Sequence, residues 1–249
     1  MHVIIVPCYS DNYAYLITEE GSGHCVVVDA PEAPPIEAAL EAHGLTLDAI
    51  WLTHHHFDHV SGVAELAKTR PGLEVLGSRY DMQHDRIAGQ TRAVADEERF
   101  DCAGHEVRVL EVPGHTLGAV AFVVDGDVFT GDTLFLAGCG RVFEGTMEMM
   151  SESLARFREL PRETRVFCGH EYTLNNLRFA QSVEPQSEII EMALKAATAQ
   201  REAGEFTVPG RLGQELEQNP FLRFDDPVLM GDDTPVESFT RLRQAKDSF

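Results

Sequence analysis

A change of pattern near Gly169 constrains the fold of this chain more than any other feature of its sequence. Before that point, short apolar runs such as HVIIVPC and HCVVVDA are separated by turns, a pattern typical of β-strands. Two helical patterns lie among them, PPIEAALEAHG, which ends at Gly44, and VAELAKTR. Strands at both ends of this region with helices between them predict an α/β fold, with sheets packed face to face and covered by helices.

After Gly169 the pattern becomes helical. TLNNLRFAQSV, PQSEIIEMALKAATAQREA and PVESFTRLRQAKDSF each have helical spacing, with only the irregular NPFLRFDD between the last two. The final helix begins with a capping-box pattern: Thr234 at the N-cap, Pro235 at the first helical position and Glu237 at the third. The sequence therefore predicts two domains, residues 1–170 and an all-helical domain over residues 171–249.

The charge balance narrows the classes of partner. The chain has 41 acidic and 20 basic residues, a net charge of −21, and such a field repels polyanions. Nucleic acid and anionic membranes are therefore not expected as partners. A small molecule is expected as the partner instead, and an anionic substrate would need a local basic pocket. The chain is expected to be a monomer.

The cysteines and the N-terminus predict a cytoplasmic location. The five cysteines are far apart and form no CxxC pair, which argues against a disulfide scaffold. The N-terminal MHVIIVP lacks the regions of a signal peptide, and no apolar run approaches the length of a membrane span.

The segment 53-THHHFDH-59 directly follows the strand pattern DAIWLT. In an extended segment alternate side chains point the same way, so His54 and His56 share a face and His55 points elsewhere. Asp58 and His59 follow where the chain turns. A single histidine here reads as part of a polar loop, but the whole cluster offers the imidazole and carboxylate ligands of two neighbouring metal ions.

Three further candidate ligands follow apolar runs in the same way. His115 lies in VPGHTLG, Asp132 in FTGDTLF and His170 in VFCGHEY. Each stands beside a glycine, which allows the backbone to turn tightly. Together with THHHFDH they predict a site for two divalent metal ions. Zinc is expected first, and iron or manganese suits the same ligands. Cys139 and Cys168 flank these motifs, and packing is favoured for both because the nitrogen and oxygen ligand set is complete.

The motifs THHHFDH, PGHTLG, GDTLF and CGHEYT, in this order, resemble the metallo-β-lactamase superfamily. DNYAYLI, LFLAGCGRVFEGT, NPFLR and the terminal RLRQAKDSF narrow the resemblance to glyoxalase II, the hydroxyacylglutathione hydrolases. The resemblance implies a four-layer αβ/βα sandwich followed by a helical domain. It also implies that His54, His56 and His115 bind one metal, that Asp58, His59 and His170 bind the other, and that Asp132 bridges them.

The activity implied by the resemblance is hydrolysis of glutathione thioesters. The usual substrate is S-D-lactoylglutathione, converted to D-lactate and glutathione in the second step of methylglyoxal detoxification. The resemblance implies that two bound metals would supply the hydroxide that attacks the thioester carbon. Asp58 is expected to orient it as a catalytic residue. Because a thiol has a pKa of about 8.5, its anion leaves without a dedicated general acid.

The resemblance also implies the residues that bind glutathione: Arg141, Phe143, Tyr172, Arg243 and Lys246. Arg243 and Lys246 are three apart on the last helix and share a face. A solvated basic helix end is the alternative for them, and packing is the alternative for Tyr172. Two positions depart from the family pattern. Phe143 stands where a tyrosine is frequent, which predicts weaker binding, and Ala119 stands where a histidine is common.

The rival activity in the same fold is that of a persulfide dioxygenase acting on glutathione persulfide. It would hold a single iron by two histidines and one carboxylate. The second set of ligands and the helical C-terminal part favour the hydrolase. A nuclease fits the acidic chain poorly. A purely structural metal site would have a closed ligand shell, which seven ligands for two metals do not provide.

Overall fold

The structure is a computed structural model that describes residues 1–102 and 104–249. These residues form two compact units. The first comprises Met1–Glu111 and Gly118–Asp125, and the second comprises Val112–Leu117 and Gly126–Phe249. The predicted division into domains 1–170 and 171–249 stays a prediction.

The first unit contains a six-stranded sheet in the order β1-β2-β3-β4-β5-β6. The first three strands pair antiparallel, and the strands from β3 to β6 pair parallel. The strands are β1 (His2–Cys8), β2 (Asn12–Thr18), β3 (His24–Val28), β4 (Thr46–Trp51), β5 (Glu74–Ser78) and β6 (Arg92–Val94). Because parallel strands end at the same edge of a sheet, the residues that follow β3 and β4 lie at a common edge, where open α/β sheets bind ligands.

Short helices connect the parallel strands of this sheet: α1 (Ala33–His43), α2 (Phe57–Val60), α3 (Val63–Lys68) and α4 (Arg79–Gln83). Helix α1 has a proline in its first turn and ends at Gly44 with φ +63°, as predicted. Its buried face, Ile36 and Leu40, packs into the same apolar core as Leu16 and Ile50 of the sheet. This core fixes the strand ends from which the candidate ligands project.

Three antiparallel strands complete the first unit: β7 (Arg99–Cys102), β8 (His105–Glu111) and β9 (Val120–Val124). In the second unit, β10 (Asp127–Gly131) pairs parallel with β13 (Arg165–Cys168), and β13 pairs antiparallel with β14 (Gly210–Arg211). A small hairpin, β11 (Leu134–Phe135) and β12 (Gly138–Cys139), follows β10. Asp132 follows β10 and His170 follows β13, so parallel pairing brings both to one edge of these strands.

The second unit is rich in helices: α5 (Met147–Phe157), α6 (Thr173–Val183), α7 (Glu188–Glu202), α8 (Leu212–Gln218), the 3-10 helix Pro220–Leu222, α9 (Pro227–Met230) and α10 (Pro235–Ser248). The predicted capping box at the start of α10 is formed, with the Thr234 side chain accepting from the Glu237 backbone and the Glu237 carboxylate accepting from Thr234.

Several details of the secondary-structure prediction are wrong. The region before α10 is not irregular, because it contains α8, the 3-10 helix and α9. The helical C-terminal part also includes the two-residue strand β14. The run SESLARFREL predicts a helix that begins at Ser151. Helix α5 instead begins at Met147, because Thr146 caps it by accepting from the Met149 backbone. Within the described ranges 1–102 and 104–249, no helix has the length and apolar character needed to cross a membrane.

Candidate metal centre and substrate cavity

In the first unit, the residues that follow β4 bring His54 and His56 together. His54 Nε2 lies 3.2 Å from His56 Nδ1. Two nitrogens bound to one tetrahedral zinc at about 2.0–2.1 Å stand about 3.3 Å apart, so this spacing suits a shared metal. One donor atom of His59 also lies within 4.8 Å of one of His54.

Asp58 and His59 lie in helix α2, with His59 Nε2 3.8 Å from Asp58 Oδ2. The Asn12 side-chain amide donates to the Asp58 carbonyl at 3.0 Å and to Asp58 Oδ2 at 3.1 Å. The carboxylate is therefore held in one orientation. The sequence drew attention to DNYAYLI as a motif but assigned no task to Asn12.

Asp29 orients two of the histidines. Its carboxylate accepts from the Thr53 backbone N–H at 2.8 Å and from the Thr53 hydroxyl at 2.9 Å, and it lies 2.8 Å from His59 Nδ1. The same Thr53 hydroxyl is 3.0 Å from His54 Nδ1. Anchoring one ring nitrogen to a carboxylate or hydroxyl fixes the tautomer and direction of a metal-binding imidazole. Asp29 thus supports the orientation of His59 directly and that of His54 through Thr53.

His55 points away from this group, as the strand alternation predicts. An Arg86 N–H donates to His55 Nε2 at 2.6 Å, and His55 Nδ1 lies 3.7 Å from the buried Asp81 carboxylate. Gly118 is required beside that carboxylate, because a Cβ at residue 118 would stand 2.4 Å from Asp81 Oδ1. His55 therefore anchors the histidine run to the body of the unit.

In the second unit, His115, Asp132 and His170 lie together. Asp132 Oδ2 is 3.5 Å from His115 Nε2 and 3.3 Å from His170 Nε2. A single carboxylate oxygen is thus close to the Nε2 atoms of both histidines. His115 Nδ1 is fixed by the Arg141 carbonyl at 2.8 Å. A Cβ at Gly140 would stand 1.9 Å from the Asp132 carbonyl oxygen, so the second glycine of AGCGR is needed for this packing.

The EGT segment holds the loop that carries His115. The Glu144 carboxylate accepts from the Leu117 backbone N–H at 2.9 Å. A Cβ at Gly145 would stand 2.7 Å from Gly114 Cα, so the two backbone segments are in close contact. Sequence reasoning used this segment for the resemblance and did not identify Glu144 as a support of the site.

A cavity of about 420 Å³ in the second unit is lined by two candidate metal ligands and by all five predicted substrate-binding residues. Arg141 and Phe143 are each 62% exposed. The Phe143 ring meets His115 edge to face at 5.2 Å, and the Tyr172 ring stacks on His170 at 4.7 Å. The lining residues are His115, Asp132, Phe135, Cys139, Gly140, Arg141, Phe143, Tyr172, Asn175, Asn176, Arg243, Lys246, Asp247 and Phe249.

The two basic residues of α10 are placed differently. Arg243 is 3% exposed, and its guanidinium donates to the Cys139 carbonyl at 2.7 Å and to Asp247 at 3.0 Å. It therefore anchors the cavity wall as well as lining it. Lys246 Nζ donates to the Asn175 carbonyl at 3.1 Å and lies over the Phe249 ring. Burial, with the nearby charge of Arg243, lowers the pKa of Lys246 to about 8.

Cys139 and Cys168 are buried, neutral thiols. Burial raises the pKa of Cys139 to about 11, although the Arg243 guanidinium opposes the shift. Burial likewise raises the pKa of Cys168 to about 12. A thiolate is the form that binds metals, so these side chains serve packing. The described donors that suit a metal are imidazole nitrogens and carboxylate oxygens, the set that zinc, iron and manganese accept.

Comparison with known proteins identifies the family. Residues 10–170 match the model of the metallo-beta-lactamase superfamily, and residues 171–249 match that of the hydroxyacylglutathione hydrolase C-terminus. A hydroxyacylglutathione hydrolase of Synechococcus sp. is 44% identical, with 100% of both chains covered. The chain belongs to the hydroxyacylglutathione hydrolase family. The predicted fold class, a metallo-β-lactamase domain followed by a helical C-terminal part, and the predicted enzyme class, a hydrolase of this family, are both confirmed.

Two solved structures add detail. ETHE1 from Myxococcus xanthus superposes with a TM-score of 0.69 at 23% identity, covering 98% of this chain and 90% of that one. At this identity the likeness concerns the fold alone. The crystal structure of TTHA1623 in a di-iron-bound form is 30% identical with a TM-score of 0.57, covering 68% of this chain and 92% of that one.

Proposed function

We propose that the chain hydrolyses S-D-lactoylglutathione to D-lactate and glutathione, as its family membership suggests. The observation that carries the proposal is the cavity of the second unit. His115 and Asp132 line this cavity together with Arg141 and Lys246. A cavity of this composition offers metal ligands for the thioester and basic groups for the anionic peptide of glutathione, which a chain of net charge −21 would otherwise repel.

The proposed metal ligands divide into two sets that share Asp132. His54, His56 and His115 would hold one ion, and Asp58, His59 and His170 the other. The 3.2 Å spacing of the His54 and His56 nitrogens supports the first set. The proximity of Asp132 Oδ2 to both His115 and His170 supports a shared carboxylate. Zinc is the proposed metal, and the di-iron-bound form of TTHA1623 supports iron as the alternative.

Two divalent ions, when bound, supply an activated water at neutral pH and polarise a carbonyl. The chain's own residues orient the reactants. Asp58, fixed by Asn12, is proposed to direct the attacking water by accepting a hydrogen bond from it. Arg141 and Lys246 are proposed to hold the carboxylates of glutathione. Tyr172, stacked on His170, would form one wall of the cavity. The thiolate of glutathione leaves without a general acid because thiols ionise near pH 8.5.

The experiment is hydrolysis of S-D-lactoylglutathione by the purified chain, with thioester loss and thiol release followed together. The expected result is one thiol per thioester, and a chelator should abolish turnover. Asp58→Asn with full metal content should retain substrate binding and lose most of its turnover. Oxygen uptake with glutathione persulfide, with no thioester hydrolysis by the metal-loaded chain, would instead favour the dioxygenase reaction and contradict the proposal.

Monomeric state, a cytoplasmic location and the absence of nucleic-acid and membrane partners remain predictions from the sequence. Size-exclusion chromatography with light scattering tests the first of them directly.

A further inference from the structure

The hairpin of β11 and β12 connects the proposed metal ligand Asp132 to the cavity wall at Gly140 and Arg141. It has two residues in each strand, and its turn contains Ala137 with φ +56°. A two-stranded hairpin is marginal by itself even when longer. Left-handed backbone is also unfavourable for alanine. The shape of this hairpin therefore depends on side chains from other parts of the unit.

Helix α8 and the residue that ends it supply those side chains. The Ala137 backbone N–H donates to Glu215 Oε2 at 2.6 Å. The Asn219 side-chain amide donates to the carbonyls of Phe135 at 3.2 Å and Gly138 at 3.0 Å, and to Glu215 Oε2 at 3.0 Å. Both residues are buried, at 1% and 0% exposure. Backbone groups on both sides of the turn are thus held by a carboxylate and an amide that also bind each other.

We propose that Glu215 and Asn219 are positioning residues for glutathione binding, because they hold the hairpin in the shape that presents Gly140 and Arg141 to the cavity. This inference rests on the proposed function. Neither residue lines the cavity of about 420 Å³, so their effect reaches the substrate only through the hairpin.

The surroundings of Glu215 make this positioning sensitive to pH. Glu215 lines a separate cavity together with side chains of α6, α7 and α8. None of the other described residues that line this cavity is charged or titratable. These neighbours are Leu136, Thr173, Leu177, Ala193, Ala196, Ala197, Gln200, Thr207, Pro209, Gly210, Gln214 and Gln218. Burial raises the pKa of Glu215 to about 7, although hydrogen bonds from Ala137, Gln218 and Asn219 oppose the shift. The carboxylate accepts all three donors when ionised, and protonation removes part of that capacity.

The test compares Glu215→Gln with Glu217→Gln in the metal-loaded, full-length chain. Glu217 lies on the same helix, but its side chain is 51% exposed and pairs with Arg162. Glu215→Gln is expected to raise KM for the thioester and Kd for glutathione by about fivefold, the effect of one weakened hydrogen bond, with kcat within about twofold. Glu217→Gln should change none of these. Equal KM and Kd values in the two variants would overturn the proposal.

The pH profile gives a second readout that a purely structural role would not change. From pH 8 to pH 6, glutathione affinity should fall more in Glu217→Gln than in Glu215→Gln. Only the Glu217→Gln variant keeps the carboxyl group of Glu215, which titrates in this range. Identical pH profiles would contradict the inference.

A milder variant serves if the Glu215→Gln chain does not fold. Gln218→Ala removes the donor to Glu215 Oε1 and should also raise KM. An unchanged KM in this variant would overturn the proposal. If the wild-type chain binds glutathione without hydrolysing its thioesters, the proposed function fails, and the Kd comparison still decides the positioning role. If the wild-type chain neither binds glutathione nor hydrolyses its thioesters, both the proposed function and the positioning role are overturned.

Discussion

At the residue scale, three histidines of 53-THHHFDH-59 have their imidazoles held by three different neighbours. Thr53 directs His54, Asp29 directs His59, and Arg86 holds His55. Nearby side chains of one chain segment therefore have different partners. For His55 and His59, the direction of the ring depends on residues outside the motif.

Asp29 provides the clearest test of this dependence. Asp29→Asn leaves the side-chain shape but weakens its interactions with Thr53 and His59, so metal affinity should fall by about 10–100-fold. Competition with a chromophoric chelator measures the affinity. Asp48→Asn is the matched control, since Asp48 pairs with the exposed His24 on the same sheet. Equal affinities for the two variants would remove the supporting role of Asp29.

Phe143 tests the departure from the family pattern. Its ring is 62% exposed at the cavity and packs against His115, so a hydroxyl added by Phe143→Tyr can reach a bound peptide. One neutral hydrogen bond should lower KM by about fivefold and leave kcat unchanged. Phe249→Tyr adds the same group at another point of the cavity and should change KM less. A KM that stays constant or rises in Phe143→Tyr would contradict the assignment.

The candidate ligands could be proposed from the sequence, and the side chains that support them could not. His115, Asp132 and His170 each follow an apolar run and stand beside a glycine, a local pattern. Asp29 reaches Thr53 across 24 positions, and Asn12 reaches Asp58 across 46. Nothing in one sequence relates residues so far apart until the strands that carry them are paired.

At the scale of secondary-structure elements, those with a strong local pattern could likewise be predicted, and those that depend on distant residues could not. Helix α6 and strand β1 have the predicted bounds, because a long periodic run and its flanking breakers determine them locally. Helix α8 has seven residues, about two turns, and strand β14 has two residues paired with β13. Elements this short are stabilised by their tertiary neighbours, so their own sequence carries little signal.

Helix α8 also carries a stability prediction through Glu215. The pKa of this carboxyl is about 7 in the fold against an ordinary 4.5. Between these values the folded chain holds the proton and the unfolded chain does not. The free energy of unfolding should therefore fall as pH rises through this window, by about 3 kcal/mol, and level off above it.

Urea unfolding of the metal-loaded chain at several pH values measures this effect. Glu215→Gln should lose this part of the pH dependence and be at least as stable as Glu217→Gln at pH 8. Parallel curves for the two variants between pH 4.5 and pH 8 would contradict the prediction. A gain in stability together with a rise in KM would also separate the positioning role of Glu215 from any general loosening of the fold.

At the scale of the whole molecule, a net charge of −21 opposes the approach of an anionic thioester, while the role proposed for Arg141 is to attract it locally. Salt separates the two effects by their range. Raising ionic strength from about 0.01 M to about 0.1 M shortens the Debye length from about 30 Å to about 10 Å. The long-range repulsion is then screened more than the short-range attraction, so kcat/KM of the wild-type chain should rise over this interval.

Removal of the local charge should make that rise steeper. Arg141→Gln loses the attraction that offsets repulsion at low salt, so its kcat/KM should fall most at about 0.01 M and recover partly at about 0.1 M. Lys195→Gln changes the net charge equally, but Lys195 is 74% exposed, pairs with Glu191 and does not line the cavity. Initial rates across a salt series compare the slopes. Identical slopes would mean that Arg141 contributes no more than any surface charge, and the basic groups that admit glutathione would then have to be sought elsewhere in the chain.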